Sequence, residues 1–275
     1  MGGLKPAALP TATALTLLSV LAWLVLLVSH FTDRPPMPVA AVERAGMGGE
    51  EVVMAGPSMN MGSSLGEPLG AALFVGAWLV MMAAMMLPSA VPMVSIHRVM
   101  AAGSAASKAA QSALFVSAYL VAWGGFGLGV YLLQQSFPLL ADQWPGLASA
   151  WPVAVAAILV IAGAYQLSPL KDLCLRHCRS PLSFLMERWR SGLWGSFRLG
   201  LRHGLYCIGC CWGLMAVLVV AGAMGLVWVA LIGLAVFAEK LLPAGRAAAR
   251  TGGASLAALG ALIALRPEVA WRLAM

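Results

Sequence analysis

Charged side chains are scarce in this sequence. Of its 275 residues only 10% are Asp, Glu, Lys or Arg, whereas 61% are hydrophobic, and the mean hydropathy is +0.88. A soluble domain carries about 25% charged and about 45–50% apolar residues, so this chain has too little polar surface to cover a water-soluble globule. The composition therefore excludes soluble enzymes, disordered chains and disulfide scaffolds, and it indicates an integral membrane protein.

Five long stretches contain no Asp, Glu, Lys or Arg at all. They are residues 6–32, 68–97, 109–141, 143–170 and 203–238. A helix needs about 20 mainly apolar residues to cross a hydrocarbon core about 30 Å thick, so the first four stretches predict one helix each. The fifth predicts two helices with a turn at residues 222–225, and a short apolar run at 254–265 is a marginal span or an embedded half-helix. Barrel strands would need alternating segments of about ten residues. We therefore predict an all-α, polytopic membrane helix bundle with six to seven transmembrane helices.

Basic residues are unevenly divided between the two ends of these helices. Cytoplasmic loops are enriched in Lys and Arg. With a cytoplasmic N-terminus and seven alternating helices, thirteen basic residues fall inside and four outside, the outer ones being Arg34, Arg44, Arg266 and Arg272. This predicts a multi-pass protein of the inner (cytoplasmic) membrane with its N-terminus in the cytoplasm. Topology and anionic lipids account for the net charge of +7, so no nucleic-acid partner is predicted.

The five cysteines are confined to two short stretches that also contain histidine. The candidate ligands there are Cys174, His177, Cys178, His203, Cys207, Cys210 and Cys211. If each stretch is helical, residues three and four apart share one face, and the two faces could meet in one site. Cytosolic thiols favour metal or redox chemistry over disulfides, and thiolates and imidazoles bind Cu(I) or Zn(II). The alternative is that each cysteine is a small buried hydrophobe, which is a weaker explanation for all five together.

Four methionines form a stripe on the predicted second helix. They are Met81, Met82, Met85 and Met86, which make two pairs separated by one helical turn. Thioethers are soft ligands that select Cu(I), so the stripe is a candidate series of stepping sites. The competing interpretation is that methionine fills irregular gaps in the core.

A third sulfur-rich stretch lies in the predicted outer loop, with Met47, Met54, Met59 and Met61 among glycines and acids. It is either a loose collector of copper or a plain disordered loop. Methionine on the oxidising side, methionine in the membrane and cysteine on the reducing side is the distribution expected for a protein that handles cuprous ions.

Acidic residues are rare at membrane depth, and Glu239 is the exception next to Lys240. We expect Glu239 to pair with Lys240 or with an arginine of the basic loop, the alternative being a carboxylate of the site. The sequence has no Ser-His-Asp arrangement, paired carboxylates or phosphate-binding loop. No enzymatic activity is predicted, although a membrane thiol oxidoreductase stays open.

Three of these blocks together resemble a known bacterial family. The matching blocks are residues 78–92, 165–181 and 200–215, followed by Glu239 and Lys240. They are similar to the uncharacterised family of predicted metal-binding integral membrane proteins, a domain of unknown function. The resemblance covers roughly residues 69–242, without the outer loop or the tail after Pro243. It implies metal binding and names neither the metal nor a reaction.

These observations predict four regions along the chain. They are an N-terminal transmembrane helix (1–32), a Met-rich outer loop (33–68), a membrane bundle carrying the Met and Cys/His motifs (69–242), and a short apolar segment with a tail (243–275). The predicted function is binding of a soft transition metal, copper(I) being expected and zinc the alternative, with transport or delivery at the membrane. The other hypotheses are an assembly factor for a metalloenzyme and a thiol redox protein. The expected partners are the lipid bilayer, the metal ion, and a metallochaperone or a metalloenzyme under assembly.

Overall fold

The computed structural model of the chain describes residues 5–32, 68–143, 151–220 and 226–266, and within these ranges all regular secondary structure is helical. The helices are α1 (Lys5–Thr32), α2 (Pro68–Met100), α3 (Ala105–Gln143), α4 (Trp151–Leu167), α5 (Pro169–Arg179), α6 (Pro181–Arg188), α7 (Gly192–Val220), α8 (Leu226–Leu241) and α9 (Gly245–Leu265). The predicted all-α class is confirmed. The Met-rich outer loop and the turn predicted at 222–225 lie outside the described residues.

Five of these helices are long and apolar enough to cross a membrane, namely α1, α2, α3, α7 and α9. The pair α4 and α5 also meets this criterion when taken together, with a bend of 62° between the two helices. The described residues therefore contain five or six candidate spans, against the six to seven predicted, because α8 has only 16 residues there. The chain is by these measures a multi-pass membrane protein.

The last helix is longer than the sequence predicted. The expected short apolar segment at 254–265 is instead the C-terminal part of α9, which begins at Gly245 and has 21 residues. The residues that α9 adds before this segment include Arg246 and Arg250. Arginine can stay within a helix whose end lies at the membrane surface, because its long side chain reaches toward water.

Packing of α1 against α2 follows from a proline inside α2. Pro88 has no backbone N–H, so the carbonyl of Ala84 loses its normal partner four residues later. Two side chains of α1 replace it, since Ser19 Oγ donates to Ala84 O at 2.9 Å and Trp23 Nε1 donates to it at 3.1 Å. An unpaired carbonyl in hydrocarbon costs several kcal/mol, and these two hydrogen bonds therefore fix where α1 docks.

Small residues allow the other helices to approach closely. Helix α7 packs on α3, and α4 packs on α9. A side chain at Gly200 of α7 would collide with the backbone carbonyl of Phe115 on α3, and one at Gly163 of α4 would lie 2.6 Å from the backbone nitrogen of Ala257 on α9. Glycine at such contacts is a general device of membrane helix pairs. Further packing of α2 on α3 and α8, and of α5 on α7, brings these five helices together around one buried region.

Replacing Gly200 with alanine is expected to destabilise the bundle, because the added methyl group overlaps the backbone of α3. Overpacking of this kind costs about 1–3 kcal/mol, so the thermal unfolding midpoint of the detergent-purified protein should fall. Gly125→Ala is the matched control, since no atom lies within 4 Å of its added methyl group and alanine is the better helix former. Equal midpoints for the two variants would contradict the proposed α3–α7 contact.

Candidate metal centre

Three cysteines of α7 form a buried group. Cys207, Cys210 and Cys211 are three and four residues apart, so α-helical geometry places them on one face. Their sulfur atoms all lie within 4.8 Å of one another. The thiols of Cys210 and Cys211 donate to the carbonyl of Cys207 at 3.1 Å and 2.9 Å. The three cysteines therefore share one helical face, as their spacing in the sequence predicted.

Helix α5 brings a fourth thiol to this group. The Sγ atom of Cys178 lies 3.9 Å from Sγ of Cys210, and its thiol also interacts with that of Cys207. We call Cys178, Cys207, Cys210 and Cys211 the thiol cluster. The two cysteine stretches, 32 residues apart at this pair, therefore meet in space.

The sulfur spacing is compatible with a shared metal ion. A metal–sulfur bond of about 2.3 Å places two sulfurs on one ion no more than about 4.6 Å apart. The Cys178–Cys210 separation of 3.9 Å falls within this limit, and the 4.8 Å bound on the α7 group exceeds it only slightly. All five cysteines of the chain are free thiols in this structure.

The position of α5 is set by the bend that follows α4. Ser168 caps α5, its side chain accepting a hydrogen bond from the backbone N–H of Lys171, and Pro169 occupies the first turn. Lys171, Cys174 and Cys178 then follow one face of α5. Proline early in a helix and serine at its cap are favourable there, so the local sequence supports the bend.

Cys174 lies at the edge of the thiol cluster, on the same face of α5. Its Sγ atom is 3.0 Å from the place that a side chain of Gly209 would take. The hydroxyl of Tyr165 donates to the carbonyl of Gly209 and also interacts with Cys174. The missing side chain of Gly209 thus makes room for Cys174 against α7, and both α5 cysteines are only partly buried residues, with the Cys174 thiol the more open of the two.

The two histidines pack mainly on aromatic rings. His177 has its Nδ1 atom 2.9 Å from the carbonyl of Leu173, and its ring stacks on Tyr206 with centroids 4.2 Å apart. His203 is buried and stacks on Tyr119 with centroids 5.5 Å apart. Its Nδ1 atom has no hydrogen-bond partner among the described residues. Ligation by either histidine stays a prediction.

A lysine and a tyrosine that the sequence analysis missed contact the thiol cluster. The Nζ atom of buried Lys240 donates to Sγ of Cys207 at 2.9 Å, and the hydroxyl of Tyr119 lies 3.1 Å from the same sulfur. Lys240 was part of the family resemblance, but the sequence pointed to the adjacent Glu239 as its partner rather than to a cysteine. Tyr119 lies 88 residues from Cys207, and no sequence pattern connects the two.

Glu239 pairs with a different residue from the ones predicted. Its carboxylate accepts a hydrogen bond from Lys171 Nζ at 2.6 Å and one from Gln166 Nε2 at 2.9 Å. The expected pairing with Lys240 or an arginine side chain is therefore wrong, although Glu239 does serve as a pairing residue. Adjacent helical residues point about 100° apart, which directs Glu239 to α4 and α5 and Lys240 to the thiol cluster.

The four methionines of α2 are all buried, and we call Met81, Met82, Met85 and Met86 the Met stripe. Met85 packs beside Gly233 of α8, where its Cγ atom is 3.4 Å from the position of an added side chain. The Sδ atom of Met86 lies 3.8 Å from Lys240 Nζ. Met85 and Met86 thus lie against α8, and Met86 reaches the cation that contacts the thiol cluster. Metal binding by these thioethers stays a prediction.

A comparison with known protein families gives one match. The family model described as PpoB2, copper chaperone, matches residues 75–263. No curated protein and no solved structure matches the chain. The match leaves out the outer loop, as expected, but it extends beyond Pro243, where the resemblance was expected to stop.

The extension has a structural reason, since α9 packs on α4 and α8 and is part of the bundle. The predicted resemblance to a bacterial family of metal-binding membrane proteins is confirmed. The matched region covers well over half of the sequence. The chain belongs to the copper chaperone family PpoB2.

Proposed function

We propose that this protein is a membrane copper chaperone that holds Cu(I) in the thiol cluster and delivers it to a partner at the membrane. The observation that carries the proposal is the 3.9 Å approach of Cys178 on α5 to Cys210 on α7. It joins four thiols from two distant stretches in one place. Thiolates are the ligands that select Cu(I), and the family description supports a carrier rather than an enzyme.

Charge balance favours a monovalent ion in this site over Zn(II). Buried charges are tolerated when they are compensated. Lys240 contributes one positive charge next to Cys207. A single Cu(I) beside that ammonium is neutralised when only two of the four thiols are deprotonated, whereas Zn(II) needs three buried thiolates for the same balance. Zinc is therefore the alternative cargo and copper the proposed one.

The difference in burial between the two helices supports delivery through α5. Cys207, Cys210 and Cys211 are buried, whereas Cys174 and Cys178 are partly exposed. A partner protein that exchanges thiol ligands for copper can reach the α5 cysteines first. We propose a metallochaperone or a metalloenzyme under assembly as that partner. His177 and His203 remain additional candidate ligands in this proposal, whereas the Met stripe is a separate set of candidate thioether ligands that lies next to Lys240.

The proposed location is the inner membrane, with the N-terminus and the helices α5 and α6 on the cytoplasmic side. The bias of basic residues supports this orientation, because seven of them lie between residues 168 and 202. A reducing compartment keeps thiols free and able to bind metal.

Reporter fusions test this orientation. Alkaline phosphatase fused after Glu187, at the end of α6, should be inactive, and a green fluorescent protein fused at the same residue should fluoresce, because the positive-inside bias places this loop in the cytoplasm. Fusions after Thr32, at the end of α1, are the control and should give the reverse result. An active phosphatase after Glu187 would invert the proposed topology.

Serine substitutions on α5 test the thiol cluster. Cys178→Ser should weaken Cu(I) binding more than about tenfold. Mutating a residue that only orients a metal ligand already weakens metal binding by about 10–100-fold, and in this proposal Cys178 is itself a ligand. Cys174→Ser, one turn earlier on the same helix, is the matched control and should change the affinity less. The measurement is competition with the Cu(I) chelator bathocuproine disulfonate, using detergent-purified reduced protein. Copper content far below one ion per wild-type chain by mass spectrometry of the metal would defeat the proposal.

The same short sulfur separation favours a second candidate function, a thiol redox role. Cys178 and Cys210 could lose two electrons and two protons to an oxidant such as oxidised glutathione and form a disulfide of about 2.05 Å.

Alkylation with N-ethylmaleimide distinguishes the two functions. In a copper carrier, bound Cu(I) should protect Cys178 more than Cys174, because the Sγ atom of Cys178 lies 3.9 Å from that of Cys210 in the thiol cluster. In a redox protein, loss of reactivity should follow oxidation, resist chelators and be reversed by dithiothreitol. Peptide mass spectrometry reads both residues in one experiment.

A further inference from the structure

Lys240 is a buried cation with two sulfur atoms and a hydroxyl oxygen as neighbours. Its Nζ atom lies 2.9 Å from Sγ of Cys207, 3.4 Å from Oγ of Ser89 and 3.8 Å from Sδ of Met86. A thiol, a hydroxyl and a thioether therefore surround the ammonium. Thiol and thioether sulfurs are ligands that Cu(I) prefers, whereas a lysine in the membrane interior ordinarily pairs with a carboxylate.

The nearest carboxylate is already engaged. Glu239 accepts hydrogen bonds from Lys171 and Gln166, and those two donors satisfy both of its oxygens. Lys240 is left with the sulfur atoms of two different helices, α7 and α2. The ammonium thus stands between the thiol cluster and the Met stripe.

We infer that Lys240 occupies, as a tethered cation, a second sulfur site formed by Cys207 and Met86, and thereby keeps Cu(I) out of the Met stripe. This inference rests on the proposed function, since it assumes that the thiol cluster holds copper. Cu(I) and an ammonium each carry one positive charge, and like charges repel strongly where water is excluded. A copper ion that moves from Cys207 toward Met86 meets the ammonium before it meets the thioether.

The geometry allows Cys207 to belong to both sites. Its sulfur lies within 4.8 Å of the sulfurs of Cys210 and Cys211 and also accepts a hydrogen bond from Lys240 at 2.9 Å. Met86 is an unbranched side chain with a flexible thioether, so it can move toward Cys207 once the ammonium is gone. The role of Lys240 is to confine the ion, which favours handover by the thiol cluster over passage along α2.

Removal of the ammonium is the direct test. Wild-type protein, Lys240→Leu, Lys240→Arg and the double variant Lys240→Leu with Met86→Leu are purified in detergent and loaded with excess Cu(I) under reducing conditions. Bound copper is counted by mass spectrometry of the metal after desalting. Lys240→Leu should bind about two ions per chain, because it frees a thiolate–thioether pair of the kind that selects Cu(I).

The other variants assign the second ion to its ligands. The wild type and Lys240→Arg, which keeps the charge, should bind about one ion, and the double variant should return to about one, because the thioether ligand is lost. Lys108→Met is the matched control for net charge, since Lys108 lies three helical turns before Tyr119 on α3, and it should behave as wild type. Where Lys240→Leu does not elute as a folded protein, Lys240→Gln carries the same expectation.

Two results overturn the inference. A folded Lys240→Leu protein with the wild-type copper content shows that Lys240 blocks no site, and a second ion that persists in the double variant shows that Met86 does not hold it. A wild-type protein that binds no copper contradicts the proposed function itself, which is a different outcome and is seen in the first sample.

Discussion

The buried ion pair between Lys171 and Glu239 is the interaction on which the site depends. It joins α5 to α8 at 2.6 Å, and Cys174 and Cys178 follow Lys171 along the same face of α5. Removing one partner of a buried pair costs about 3–5 kcal/mol, so the pair holds α5 where its thiols can meet α7. Arg179 adds to this anchor at the end of α5, since it donates to the carbonyl of Leu242 at 2.8 Å.

This pairing also decides the surroundings of Lys240. Because Lys171 neutralises Glu239, this carboxylate does not pair with the neighbouring ammonium of Lys240, which contacts Cys207 instead. Two adjacent residues of α8 thus have separate roles, since Glu239 forms the ionic anchor with Lys171 of α5 and Lys240 contacts the sulfur of Cys207. The arrangement keeps each buried charge next to a compensating group, as a membrane interior requires.

Local patterns in the sequence predicted the features that depend on residues close together in the chain. The apolar runs predicted helices because a membrane-spanning backbone must satisfy its own hydrogen bonds, and the spacing of Cys207, Cys210 and Cys211 predicted their common face. The partners of Glu239 and Cys207 come from residues 68 and 88 positions away. Such contacts depend on how helices pack, and the single charge pair Glu239–Lys240 was a misleading guide to them.

The position of Lys240 bears on whether this protein acts as a carrier or as a channel for Cu(I). A channel for Cu(I) needs successive weak sites without a positive charge between them, and the sulfur atoms of α7 and α2 would form such a series if Lys240 were absent. With the ammonium between Met86 and Cys207, the series is interrupted at its centre. The open side of the thiol cluster is then the partly exposed face of α5. In the proposed function copper therefore enters and leaves by ligand exchange with Cys178, and the membrane helices serve to hold the thiols in place.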